Sequence, residues 1–126
     1  MGKAAPDAVL DATLNEIAEA DRLFLCSDEP ANYAGIAAVA LADVVLTPGA
    51  GNGDFTVANG DVSGRKLTVG AQADFAVDST GDADHVVLAD VANTTLKYVT
   101  TCTSQTVTSG NTASTTAWDI EIEDPA

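Results

Sequence analysis

The segment Trp118-Asp119-Ile120-Glu121-Ile122-Glu123 leaves the chain few choices. Side chains of an extended strand alternate between faces, so Trp118, Ile120 and Ile122 share one side while Asp119, Glu121 and Glu123 share the other. A strand with one apolar and one acidic face closes a β-sheet over a core. It is not built to carry chemistry.

Period two recurs upstream. Leu23-Phe24-Leu25-Cys26 is apolar on both faces, the pattern of an interior strand. Gly64 to Ala71 points Leu67 and Val69 inward, and Asp74 to Asp78 puts Phe75 and Val77 on one face. Ala83 to Asp90 is expected to return beside that segment as a hairpin partner, with Val86 and Leu88 opposite His85 and Val87. Thr94 to Cys102 predicts a further strand, with Leu96, Tyr98 and Thr100 on one side and Thr95, Lys97 and Val99 on the other. Gln105 to Thr108 and Ala113 to Glu123 follow as separate strands. The stretch from Ile36 to Thr47 divides: its alanines allow helix at first, while Leu41, Val44 and Val45 favour strand after Ala40. Turns rich in Gly, Asn and Asp separate these pieces at about eight- to twelve-residue spacing. The fold class they predict is mainly β, an antiparallel β-sandwich or barrel.

One segment reads as helix. Leu10, Leu14 and Ile17 share a face, alanines fill the neighbouring positions, and Pro6 and Asp7 suit a first turn. The expected organisation is a flexible N-terminal arm over residues 1–6 and a single domain over 7–126. That domain holds a helix at about 8–20 and a β-rich module over 22–124. The acidic outer face of the helix (Asp11, Glu16, Glu19) reads as solvated.

Nineteen acidic residues face five basic ones, for a formal charge of −14. Nucleic-acid affinity depends on Lys and Arg neutralising phosphates, so DNA or RNA partners are not expected, and anionic membrane surfaces are disfavoured alike. No run approaches the ~20 apolar residues of a membrane span. The segment Met1 to Pro6 lacks the apolar stretch of a secretory signal, so the chain is expected to be made and first used in the cytoplasm. Aromatic residues are scarce, so Ala, Val and Leu must build the core at roughly 25 cal/mol per Å² buried. Oligomerisation or docking would then supply further burial.

Catalytic candidates are few. His85 is the single histidine, and a nucleophile beside it would need orienting by Asp82 or Asp84. No motif places such groups together, so His85 reads as a packed strand residue and the chain is expected not to be an enzyme. Cys26 and Cys102 read as reduced, mostly buried thiols, and Cys102 as a nucleophile suffers from acidic surroundings that raise its pKa. Two cysteines without further ligands do not make a zinc site. Gly49, Gly51 and Gly53 form a turn, since no helix and no Lys-Ser/Thr pair follows to complete a phosphate cradle. Asp78, Asp82 and Asp84, with Asp54 and Asp61, are expected to be hydrated turn residues; Ca²⁺ binding is the competing reading, but the spacing of a calcium loop is missing. The threonines from Thr94 to Thr116 fit a solvent-facing pleated surface, with an ice- or polysaccharide-binding ladder disfavoured by irregular spacing. Neither cofactor nor metal is expected.

Three segments together resemble small virion proteins of tailed bacteriophages with long, non-contractile tails. They are Leu23-Phe24-Leu25-Cys26-Ser27-Asp28-Glu29-Pro30, Gly60-Asp61-Val62-Ser63-Gly64-Arg65-Lys66-Leu67-Thr68-Val69, and the series from Asp84-His85-Val86-Val87-Leu88 through Leu96-Lys97-Tyr98-Val99-Thr100-Thr101-Cys102 to Trp118-Asp119-Ile120-Glu121-Ile122. The likeness spans most of the chain after Arg22 and lies in style and strand order. It is to head decoration, or cement, proteins of siphovirus-type phages. The resemblance implies a location on the outer capsid surface after assembly in the host cytoplasm, the major capsid protein as partner, and self-association as a trimer. It supplies no residue-by-residue site. The arm, Met1 to Pro6, and the acidic face of the last strand are the elements expected to reach a neighbour. Competing expectations are a head–tail joining, tail or fibre-base component, and a Ca²⁺- or carbohydrate-binding β-sandwich.

Overall fold

A computed structural model describes residues 5–51 and 53–123. Helix α1 (Asp7–Ile17) is followed by β1 (Arg22–Cys26), a 3₁₀ turn (Tyr33–Gly35), a short α2 (Ile36–Val39) and β2 (Ala40–Val45). Then come β3 (Phe55–Asn59), β4 (Arg65–Val69), β5 (Gln72–Ala76), β6 (Gly81–Asp90), β7 (Thr95–Val107), β8 (Thr112–Thr115) and β9 (Trp118–Ile122). The fold is mainly β, with three antiparallel sheets in the orders β2-β1-β6-β7, β3-β4-β9 and β5-β8. It is sandwich-like, with the expected N-terminal helix and the additional short α2. The expected arm lies outside the described residues up to position 4, as does the final stretch from position 124.

The four-stranded sheet is buried on both faces where the apolar runs Leu23–Cys26 of β1 and Val86–Ala89 of β6 lie side by side. Leu23, Leu25, Val86 and Leu88 point into the main core, where they meet Leu14, Ala18 and Ala20 from the helical end. Phe55, Leu67, Val69, Phe75 and Ile120 of the two smaller sheets complete that core. On the reverse face Cys26, Val87 and Ala89 are covered by Ile36, with Tyr33 and Val39 packed alongside. The helical turn before β2 is therefore a lid over the second face. It is helical where the alanines allowed it, and the change to strand falls at Ala40.

Four strand expectations need correction. Gln105 to Thr108 is not a separate strand, because β7 runs from Thr95 to Val107 as one. Asp74–Asp78 does not form a hairpin with Ala83–Asp90: β5 pairs with β8, while β6 pairs with β1 and β7. Leu96 does not share a face with Tyr98. A bulge in β7 sets Leu88 opposite Tyr98 and Ala89 opposite Leu96, and the residue skipped, Lys97, shifts Leu96 to the reverse face beside Val99. Ala113 to Glu123 is two strands, because the chain leaves one small sheet after Thr115 and joins the other at Trp118. Across the latter, Trp118 and Ile122 are half-buried and Ile120 is buried, as the alternation predicts.

The outer face of α1 is tied down instead of being merely solvated. Arg65 of β4 donates from Nε to Asp11 Oδ1 at 2.7 Å and from Nη1 to Asn59 at 2.7 Å. Lys97, the bulge residue, reaches Glu16 at 2.7 Å and Glu19 at 3.1 Å. The helix itself ends at Ile17, short of the expected position 20, and Ala18 and Ala20 are fully buried behind it. Asp21 then accepts from the amides of Val91 and Ala92, and buried Asp90 accepts from Asn93, so two carboxylates shape the β6–β7 turn.

Candidate functional site

His85 and its neighbours come closest to a catalytic arrangement. His85 lies opposite Cys26 on β1 and Thr101 on β7, and its Nδ1 is 2.6 Å from Asp84 Oδ1. Asp82, the other proposed orienting group, instead accepts from Thr106 Oγ1 at 2.7 Å. A histidine–carboxylate pair works by activating a nucleophile, whether a Ser, Thr or Cys side chain or a water, and of these only a thiol could act as a pre-formed anion. Burial, reinforced by the negative charge of Asp84, pushes the Cys26 thiol up to about 12. The same two causes raise Cys102. Both sulfurs thus stay protonated at neutral pH, and a protonated thiol is a poor nucleophile. The expectation that both are buried fails for Cys102, which sits on the exposed half of β7 with Sγ 3.8 Å from the Ala83 carbonyl.

The turn aspartates have separate occupations. Asp78 is held above the ordinary carboxylate range by hydrogen bonding to Asp43 and by that group's charge. Asp54 accepts from the Thr47 amide at 2.6 Å and from Gln72 at 3.0 Å. Asp61 pairs with Lys66 at 2.7 Å. Among the described residues no three His, Cys, Asp or Glu side chains gather where they could hold a metal ion. Gly49, Gly51 and Gly53 all have positive φ, and the Gly51 amide closes the turn on Phe55, leading into a strand with no helix for a phosphate to cap.

Charge is distributed with a clear bias. Every basic side chain among the described residues is committed to the protein's own carboxylates: Arg22 to Asp43, Arg65 to Asp11, Lys66 to Asp61 and Asp119, Lys97 to Glu16 and Glu19. The remaining carboxylates, Asp28, Glu29, Asp74 and Glu123 among them, dominate the exterior. On β9, Asp119 accepts from Thr68 Oγ1 and Glu121 from the Val62 amide, so the acidic face of that strand is partly engaged by its own chain.

One region escapes this charge. Between β7 and β8 lies a half-open groove of about 690 Å³, floored by Leu25, Ala83, Val86 and Trp118 and walled by uncharged Thr, Ser, Gln and Asn side chains. Trp118 stacks on Tyr98 with ring centroids 6.1 Å apart. Two buried polar atoms behind its wall, Thr115 Oγ1 and Trp118 Nε1, have no hydrogen-bond partner. The threonine-rich composition signals an exposed pleated surface, but the groove itself depends on β8 turning away to β5.

Comparison with protein-family models, with curated proteins and with solved structures finds no match to this chain.

Proposed function

We propose that this chain is a structural adhesion module, a decoration protein that binds the outer surface of a phage capsid and bridges its major capsid subunits. The observation that carries the reading is the commitment of all described cations to internal ion pairs. A surface so arranged offers carboxylates and neutral edges to its surroundings. It repels nucleic acid and attracts basic protein surfaces. The resemblance of its strand segments to cement proteins supports the same assignment, and the raised thiol pKa values of Cys26 and Cys102 argue against thiolate catalysis.

Adhesion of this kind works by selective binding. A molecule that binds the assembled lattice and not its separated subunits stabilises the lattice by RT ln(1 + [L]/Kd) at each site. Many copies make small gains collectively large. The test is co-sedimentation of the purified chain with empty shells of the corresponding phage, followed by heating. Saturable binding that weakens as salt rises and that raises shell melting supports the reading. Shells that neither bind the chain nor gain heat resistance would refute it.

A further inference from the structure

We infer that two copies of this chain associate through the free edge of β7, which pairs antiparallel with the same edge of a second copy. This goes beyond the capsid reading and stands whether or not the chain docks on a shell. It also differs from the trimer that the resemblance implies.

An edge strand presents a row of unpaired backbone groups, and proteins normally guard such rows with charge, proline, bulges or covering segments. The two ends of the four-stranded sheet are treated differently. At β2 the edge is covered: Ala42 bridges to Val77, and Leu41 O accepts from the amides of Asp78 and Ser79 at 2.8 and 3.1 Å. At β7 no described strand covers the outer edge. Its one irregularity from Thr100 onward is the shift between Thr101 and Gln105 opposite His85 and Ala83, which leaves Gln105 to Val107 and the residues up to Thr101 as the regular pairing segments. That strand pairs with β6 on one side only, and β8, which follows it, folds away to pair with β5. The stretch from Thr100 to Val107 (Thr-Thr-Cys-Thr-Ser-Gln-Thr-Val) contains no proline and no charged residue. Its residues from Thr101 to Thr106 are all exposed. The one charged guard on this strand, Lys97, is spent on Glu16 and Glu19, with its side chain 7% exposed.

Charge selects the occupant. A basic partner is drawn to carboxylates, and this edge has none of its own, whereas two copies of a chain at −14 repel over most of their surfaces. They approach at least cost where both are neutral. Antiparallel pairing of identical strands satisfies that condition, since it sets Thr, Ser and Gln opposite one another in hydrogen-bonding cross-strand pairs. Such a contact is isologous and closes as a two-fold dimer. Raising salt should tighten it by screening repulsion between the acidic bodies. Capsid binding through carboxylates has the opposite salt dependence.

Sedimentation velocity over a concentration series tests this, with two variants of equal charge. Thr103→Glu with Gln105→Glu places like charges on the edge, and Thr13→Glu with Asn15→Glu places them on exposed positions of α1. The wild type and the helix variant should form dimers, and the edge variant should dissociate with a Kd raised roughly tenfold or more. Circular dichroism must show all three folded. Amide exchange provides a second readout: protection between Thr101 and Val107 should rise with protein concentration in the wild type alone among these two, the edge variant staying flat. Wild type that stays monomeric, wild type that forms trimers, or equal weakening by both variants would overturn the inference.

Discussion

Replacing Leu88 by Ala probes the core at its centre. Leu88 is fully buried on β6, in register between Leu23 of β1 and Tyr98 of β7, and its side chain faces the main cluster. Truncation removes the transfer free energy of the lost carbons and leaves a cavity whose cost depends on how far neighbours can relax. Here the cross-strand neighbours Leu23 and Tyr98 are held by pairing on both sides of β6, which limits how far they can move into the space. The cost should therefore fall in the middle of the range for buried leucines, about 3–4 kcal/mol. Against a total stability of about 5–15 kcal/mol, that is a large fraction. With an m-value of about 1–3 kcal/mol/M, the urea midpoint should drop by roughly 2 M at unchanged slope. Val45→Ala is the matched control, since Val45 is 67% exposed and its truncation should cost less than about 0.5 kcal/mol. A Leu88→Ala loss below about 1 kcal/mol, or one equal to that of Val45→Ala, would refute the packing described for β6.

Other outcomes follow from single contacts. One thiol, Cys102, should react with a disulfide reagent in the native protein, while buried Cys26 reacts only after unfolding; two fast thiols under native conditions would contradict the second core face. Lys97→Met should lower Tm at neutral pH, because the mutation breaks the link from β7 to α1. Hydrogen bonding to Lys97 lowers the Glu16 pKa, so that contribution is present above the ordinary carboxylate range and lost as pH falls through the depressed value. Bonding to Glu16 raises the Lys97 pKa, so its contribution holds below roughly pH 10.4 and is lost as pH rises through the raised value. The Tm difference between wild type and variant should thus be widest between those limits and shrink on both sides; a difference independent of pH would rule the ion pair out as its source. Gly64→Ala should cost ~2 kcal/mol or more in thermal unfolding, because Gly64 has a φ of +68° and an added Cβ would run into the Ile122 carbonyl of β9. A neutral result there would mean that β4 and β9 do not meet as described.

The chain's own residues announce its facing but not its partners. Alternation in Trp118–Ile122, the double apolar pattern of Leu23–Cys26 and the change of character at Ala40 all reappear in the fold, because each depends on local periodicity. Strand pairing does not. Nothing near Phe75 or Val77 distinguishes β8 from β6 as a neighbour, and that choice is made by burial across the whole core. The bulge at Lys97 escaped for a related reason: one skipped residue moves Leu96 across the sheet, and it is the long reach to Glu16 and Glu19 that rewards the slip. The exposed threonines of β7 were legible as a pleated surface. The groove beside them was not, since its floor collects Leu25, Ala83 and Trp118 from distant parts of the chain.

Adhesion to an assembled lattice is the central claim, and the position of this chain in purified phage particles tests it most directly. Cryo-electron microscopy of virions, with copy number from quantitative mass spectrometry, should find it at repeated positions over the outer shell, seated across contacts between capsid subunits. A chain found only at a single vertex or along the tail, or missing from virions altogether, would contradict the account.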